Sequence, residues 1–168
     1  NEMPETISFN LKKNISMRYG ENPHQNASLY VKDEKCLSFS KQIQGKELSF
    51  NNINDTDAAL ELVSEFDDPA VVIVKHANPC GVAIATKIED AWSKALKTDP
   101  VSAFGGIVAL NRKINISVAK KLSELFLEVL IAPGITEEAQ KVLIKKNNLR
   151  ILISNSSLQK QKKNYIIK

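Results

Sequence analysis

Lys75 and His76 stand side by side at the end of an apolar run in "VVIVKHANPCGVAI", residues 71–84. An imidazole titrates near neutral pH, so one held at a strand end can take up or release a proton. A neighbouring ammonium disfavours the imidazolium and so favours a neutral base. It can also stabilise a phosphate or a developing oxyanion. Pro79 lacks an N–H and biases Asn78 towards an extended backbone, so Asn78-Pro79 reads as the turn that presents the pair. The plainer alternative is a solvated lysine beside a histidine that makes one structural hydrogen bond.

His76, Pro79 and Cys80 also follow the order of the zinc deaminase signature, H-x-E followed by P-C-x-x-C. Asn78 stands where the glutamate belongs, no second cysteine follows Cys80, and only His24 and Cys36 remain elsewhere. A closed zinc site needs about four good ligands, so too few are present and no metal site is expected.

Three further segments carry candidate chemistry. "SAFGG" (102–106) has two glycines that would let an anion approach backbone N–H groups, although it matches no phosphate-loop fingerprint and reads equally well as a tight turn. "EVLIAPG" contributes Glu128, and "RYGENPHQ" gathers Arg18, Tyr19, Asn22 and His24 in one loop. Ligands of an α/β sheet gather beyond the carboxyl ends of strands, and "KHANPCG", "DPVSAFGG" and "EVLIAPG" are expected there.

The elements that position these residues follow from periodicity. Four helices are expected. The first lies in "NDTDAALELVSEF", with Asn54, Asp55 and Asp57 at its start. The second is "TKIEDAWSKAL", with Thr86 and Glu89 as a capping-box pair. The third is "SVAKKLSELFLEV", capped by Ser117, with Val118, Leu122, Leu125, Phe126 and Val129 on one stripe. The fourth is "TEEAQKVLIKKNN", capped by Thr136, with Lys145 and Lys146 in its last turn. Apolar runs at 70–74, 82–85, 107–110 and 149–153 suit strands covered on both faces. "TISFNL" and "ASLYVK" read as two earlier strands, and 154–164 as a surface loop. The alternation argues for a three-layer α/β/α sandwich.

Composition narrows the function classes. The 168 residues are 43% hydrophobic, enough for one sizeable core, and the net charge is +4. Scattered lysines and 6% aromatic residues do not make a nucleic-acid groove. Cys36 and Cys80 form no disulfide framework, and no apolar run reaches membrane length, so a cytoplasmic protein without a membrane partner is expected. Asn1 and the closing "NYIIK" read as ends cut from a longer polypeptide.

Taken together, "RYGENPHQNASLY", "LSFNNINDTDAALELVSEF", "KHANPCGVA", "DPVSAFGGIVALN" and "EVLIAPGITEEA" resemble, in this order, the first half of a formyltransferase domain. The family is the bifunctional purine-biosynthesis enzyme that couples AICAR (5-aminoimidazole-4-carboxamide ribonucleotide) transformylase to IMP cyclohydrolase. The resemblance covers roughly residues 4–153. It implies a cytidine-deaminase-like α/β/α fold without zinc, with 1–16 as a linker or leading strand and 17–168 as the first of two related subdomains. It also implies a cyclohydrolase domain before this chain and a second half after it.

The implied reaction moves a formyl group from the co-substrate 10-formyltetrahydrofolate to the 5-amino group of AICAR. The family's catalytic residues fall on His76, as proton acceptor, and Lys75, as transition-state stabiliser. Its nucleotide contacts fall on Arg18, Tyr19, Asn52, His76, Gly105 and Glu128, the last being aspartate in some relatives. Folate contacts belong mostly to the other half, and the site forms across a homodimer interface. Two readings stand beside this one: a nucleotide-binding fragment without turnover, and a deaminase-type hydrolase.

Overall fold

A computed structural model describes residues 5–32 and 39–154 of the chain. In order it contains β1 (Lys12–Ser16), β2 (Ser28–Val31), β3 (Phe39–Gln44), α1 (Phe50–Val63), β4 (Ala70–Lys75), β5 (Asn78–Ile84) and α2 (Ile88–Thr98). There follow β6 (Ile107–Leu110), α3 (Ile116–Ser123), β7 (Val129–Ala132), α4 (Glu137–Leu143) and β8 (Arg150–Ser154).

Strands β1 and β2 pair as an antiparallel ribbon, while the other six form one mixed sheet in the order β3-β8-β7-β6-β4-β5. Strands β6, β7 and β8 run parallel. β4 runs antiparallel to both β5 and β6, and β3 runs antiparallel to β8. The continuous apolar runs are explained by side chains that alternate between two cores. Val71 and Ile73 face Trp92, Leu122 and Leu143 of α2, α3 and α4. Ala70, Val72 and Val74 face Ala59 and Val63 of α1. The sheet is therefore sandwiched between α1 and the other three helices. Burying a side chain the size of Trp92 stabilises by roughly 2–3 kcal/mol. Gly81 lets α2 lie close against β5, since a Cβ there would strike the Ala95 carbonyl oxygen.

Several boundaries differ from expectation, each for a local reason. Helix α1 starts at Phe50, because Ser49 and Asn52 form a capping box: each side chain binds the other's backbone N–H. Asn54, Asp55 and Asp57 are therefore interior, and Phe66 lies beyond the helix. Thr86 makes no cap, since Lys87 holds the N-cap position of α2 without a side-chain bond. Asn115, not Ser117, caps α3 by accepting from Val118 N–H at 2.9 Å. Helix α3 stops at Ser123, and Val129 belongs to β7. Thr136 caps α4 as expected, but Lys145 and Lys146 lie past its end. The run at 82–85 is not covered on both faces: it forms part of β5, an edge strand with Val82 and Ile84 exposed. β1 begins after "TISFNL", while β2 matches "ASLYVK". Cys36 and nearly all of the 154–164 loop lie outside the described residues.

Side-chain amides lock two crossings. Gln44 Nε2, at the end of β3, donates to the carbonyl oxygens of Leu143, Lys146 and Leu149 at 3.0–3.3 Å. Asn111 is buried after β6; its Oδ1 accepts from Ala70 N–H at 2.8 Å, and its Nδ2 donates to Phe66 O and Asp68 O. No described helix is long and apolar enough to cross a membrane.

Candidate functional site

The strand directions decide where the candidate residues meet. Val74 pairs with Ile107, Ile107 with Val129, and Val129 with Arg150. The carboxyl end of β4 thus lies level with the amino ends of β6, β7 and β8. His76, Gly105, Glu128 and Arg150 sit along that one edge. The expectation of a site beyond carboxyl ends holds for β4 only; for the parallel strands the residues lie at the amino ends. "EVLIAPG" is split by this geometry. Glu128 is on the site edge, while Ala132 to Gly134 lie on the opposite edge, about 13 Å away along β7.

The hairpin between β4 and β5 forms the tip of this edge. Lys75 pairs with Asn78, leaving His76 and Ala77 as a two-residue turn with φ of 53° and 57°. Positive φ at both central positions is the signature of a type I′ turn, normally built from Asn and Gly. Asn78-Pro79, expected to be the turn, is instead the start of β5, and the turn falls two residues earlier. The carboxylate of Asp55, on α1, accepts from both turn amides: His76 N–H to Oδ2 at 3.1 Å and Ala77 N–H to Oδ1 at 2.8 Å. Asn78 Nδ2 closes the turn by donating to His76 O at 2.8 Å. His76 is exposed at the tip, and Lys75 is half-buried. Lys75 Nζ donates to Phe104 O at 2.8 Å, just before Gly105. One ammonium hydrogen is thereby used, and two remain for an incoming anion.

A second set of residues lines a groove of about 290 Å³: Arg18, Tyr19, Lys46, Glu128 and Arg150, with Phe126 and Asn148. The Arg18 guanidinium lies 4.7 Å from the Tyr19 ring centroid. Backbone bonds from Arg18 N–H to Leu48 O and from Phe50 N–H to Tyr19 O dock this loop onto the start of α1. Buried Asn52 donates through Nδ2 to Glu128 Oε2 at 2.8 Å. That bond leaves the other carboxylate oxygen as an acceptor suited to a hydroxyl. Burial pushes the Arg150 guanidinium below its ordinary pKa, with Glu128 opposing the shift and Arg18 adding to it. With three cations beside one carboxylate, the groove favours an anionic ligand.

The glycine segment is a turn, not an anion cradle. Gly105, at φ +72°, donates its N–H to Phe126 O at 2.8 Å, and Gly106 donates to Ala103 O at 3.0 Å. What Gly105 supplies is that turn and, with only the Phe126 ring 3.7 Å from where a Cβ would be, room beside the groove. Asn22 and His24 are exposed in a loop closed on itself by Gly20 N–H to Gln25 O, and they do not line the groove. Among the described residues no three His, Cys, Asp or Glu side chains stand close enough to share a metal ion. Burial is the main cause that pushes the Cys80 thiol above its ordinary pKa, with Asp99 adding to it.

Sequence reasoning did not find Asp55, Lys46 or Arg150 as site residues. Arg150 carried a signal, since it is the one charged residue inside the apolar run at 149–153. Asp55 carried none, because its partners are backbone amides.

The family model described as "AICARFT/IMPCHase bienzyme" matches residues 1–168. The chain is 52% identical over 157 residues to the bifunctional purine biosynthesis protein PurH of Bacillus cereus (strain AH187), covering 92% of this chain and 31% of that protein. It is 53% identical over 162 residues to the protein of the same name from Thermoanaerobacter sp. (strain X514), covering 95% of this chain and 32% of that one. The chain therefore spans about a third of the length of these relatives.

Proposed function

Because the chain belongs to the AICARFT/IMPCHase bienzyme family, we propose that it supplies the nucleotide side of an AICAR transformylase site working in purine biosynthesis. The observation that carries this reading is the meeting of Lys75, His76, Gly105 and Glu128 along one sheet edge, with Asn52 reaching Glu128 from α1 and Arg18 and Tyr19 docked at the start of that helix.

The amino group of AICAR is a weak nucleophile because its lone pair delocalises into the ring and carboxamide. It attacks the formyl carbon of 10-formyltetrahydrofolate, and His76 takes the proton that the nitrogen loses. A positioned base of this kind contributes about 10²–10⁴-fold. Lys75 faces the oxyanion of the tetrahedral intermediate, worth on the order of 3 kcal/mol for one good donor. The carbonyl re-forms, the bond to N10 breaks, and N10 regains a proton to leave as tetrahydrofolate. Arg18 and Tyr19 hold the nucleotide, Glu128 accepts from ribose hydroxyls with Asn52 fixing its rotamer, and Gly105 leaves room beside them.

On this reading the fold is cytidine-deaminase-like without zinc, the working protein is a cytoplasmic homodimer, and folate contacts come mostly from outside this chain. The chain alone would then bind nucleotide without turning it over.

The test uses the full-length polypeptide carrying this chain, given AICAR and 10-formyltetrahydrofolate, with tetrahydrofolate release followed optically. His76→Ala should lower turnover at least about 100-fold. AICAR affinity, measured by calorimetry, should stay within about tenfold, because a base acts in the transition state. A variant keeping more than about a tenth of wild-type turnover would remove His76 from the role of base.

A further inference from the structure

We propose that Asp55 is the positioning residue of this site. Its carboxylate holds the His76–Ala77 turn in the left-handed conformation that aims the imidazole, an inference that rests on His76 serving as the base. The turn is an awkward one for its sequence. Both central residues need positive φ, which glycine adopts freely and alanine avoids. Ala77 also has no polar side chain with which to stabilise that conformation locally. Something outside the turn must hold it, and Asp55 does so with both carboxylate oxygens, one for each amide. Hydrogen bonds to an ionised acceptor are roughly twice as strong as neutral ones. A short side chain on a helix also transmits the helix position directly to the turn.

Asn52 lies three residues earlier on α1, and residues so spaced share a helix face. Asn52 fixes Glu128 while Asp55 fixes the histidine turn. One helical turn therefore sets the register between the nucleotide groove and the base. Displacing the turn would leave the groove intact and misplace only the imidazole, so the signature is lost turnover with retained binding.

Asp55→Asn tests this in the full-length polypeptide. The amide keeps one acceptor oxygen but turns an NH₂ group towards the second backbone N–H. Turnover should fall at least about tenfold, while AICAR affinity should stay within about twofold. Hydrogen–deuterium exchange should speed up in the peptide spanning 70–80 and not elsewhere. The decisive variant is Asp55→Asn combined with Ala77→Gly. Glycine accepts the left-handed conformation without an external clamp, so turnover should recover at least about threefold over Asp55→Asn alone.

Three results would overturn the proposal: turnover unchanged in Asp55→Asn, turnover and AICAR affinity falling together, or no recovery on adding Ala77→Gly. Failure of the underlying reading looks different. In that case His76→Ala itself leaves turnover intact, whatever Asp55→Asn does.

Discussion

At its amino end β4 is gripped by Asn111, and at its carboxyl end its hairpin is gripped by Asp55. Each side chain reaches across from another element and satisfies backbone groups at a chain reversal. Asn111 is buried and uses its whole amide, accepting from Ala70 and donating to the carbonyls of Phe66 and Asp68. Asp55 works at an exposed tip, where His76 and Ala77 are open to water. A buried polar group that loses its partner cannot be rescued by solvent, whereas an exposed amide can. The Asn111 clamp should therefore govern whether the strand stays folded, and the Asp55 clamp where a side chain points.

The largest effect that could break this contrast is at the buried end. Asn111→Ala should destabilise the chain by about 1–3 kcal/mol, since it strands the buried Ala70 N–H. Urea denaturation measures it, and a cost below about 1 kcal/mol would show that water reaches that end too. Arg112 sharpens the contrast at the margin of the same clamp. Its Nη2 donates to Asp67 O at 2.6 Å and its Nη1 to Asn111 O at 3.0 Å, on a partly solvated surface. Arg112→Ala should cost about 1 kcal/mol by the same measurement. The smallest effect belongs to the tip. Ala77→Gly relieves left-handed strain but frees the unfolded chain, and the two terms nearly cancel, leaving a change within about 0.5 kcal/mol. A loss above about 1 kcal/mol would mean the alanine methyl is itself held in place.

The same two ends show what the sequence could and could not disclose. The run from Val71 to Val74 is legible as strand because both faces are covered, and it leads directly to Lys75 and His76. The turn lies two residues before Asn78-Pro79 and is not legible there because "HA" carries no Asn-Gly signal: its amide is held by a carboxylate 21 residues upstream. Helix α1 began early because its capping box uses Asn52 where Glu or Gln is the usual cue. β7 is hidden because its first residue, Val129, falls in step with the stripe of Val118, Leu122, Leu125 and Phe126 and so extends the expected helix into the strand. β3 went unseen because "FSKQIQ" is mostly polar and finds its place only through pairing with β8.

That pairing also has a timetable. Gln44 cannot make its three bonds until Leu149 exists, 105 residues further along the chain. At synthesis rates of about 5–20 residues per second, the wait is on the order of 5–20 s. During that interval β4, β5 and α2 can already assemble from neighbouring sequence, so the histidine hairpin is built early and locally. The groove beside Glu128 and Arg150 is completed last, when β8 slots between β7 and the waiting β3. A ribosome stalled before Arg150 would thus hold a chain with its histidine hairpin in place and the groove beside Glu128 unfinished.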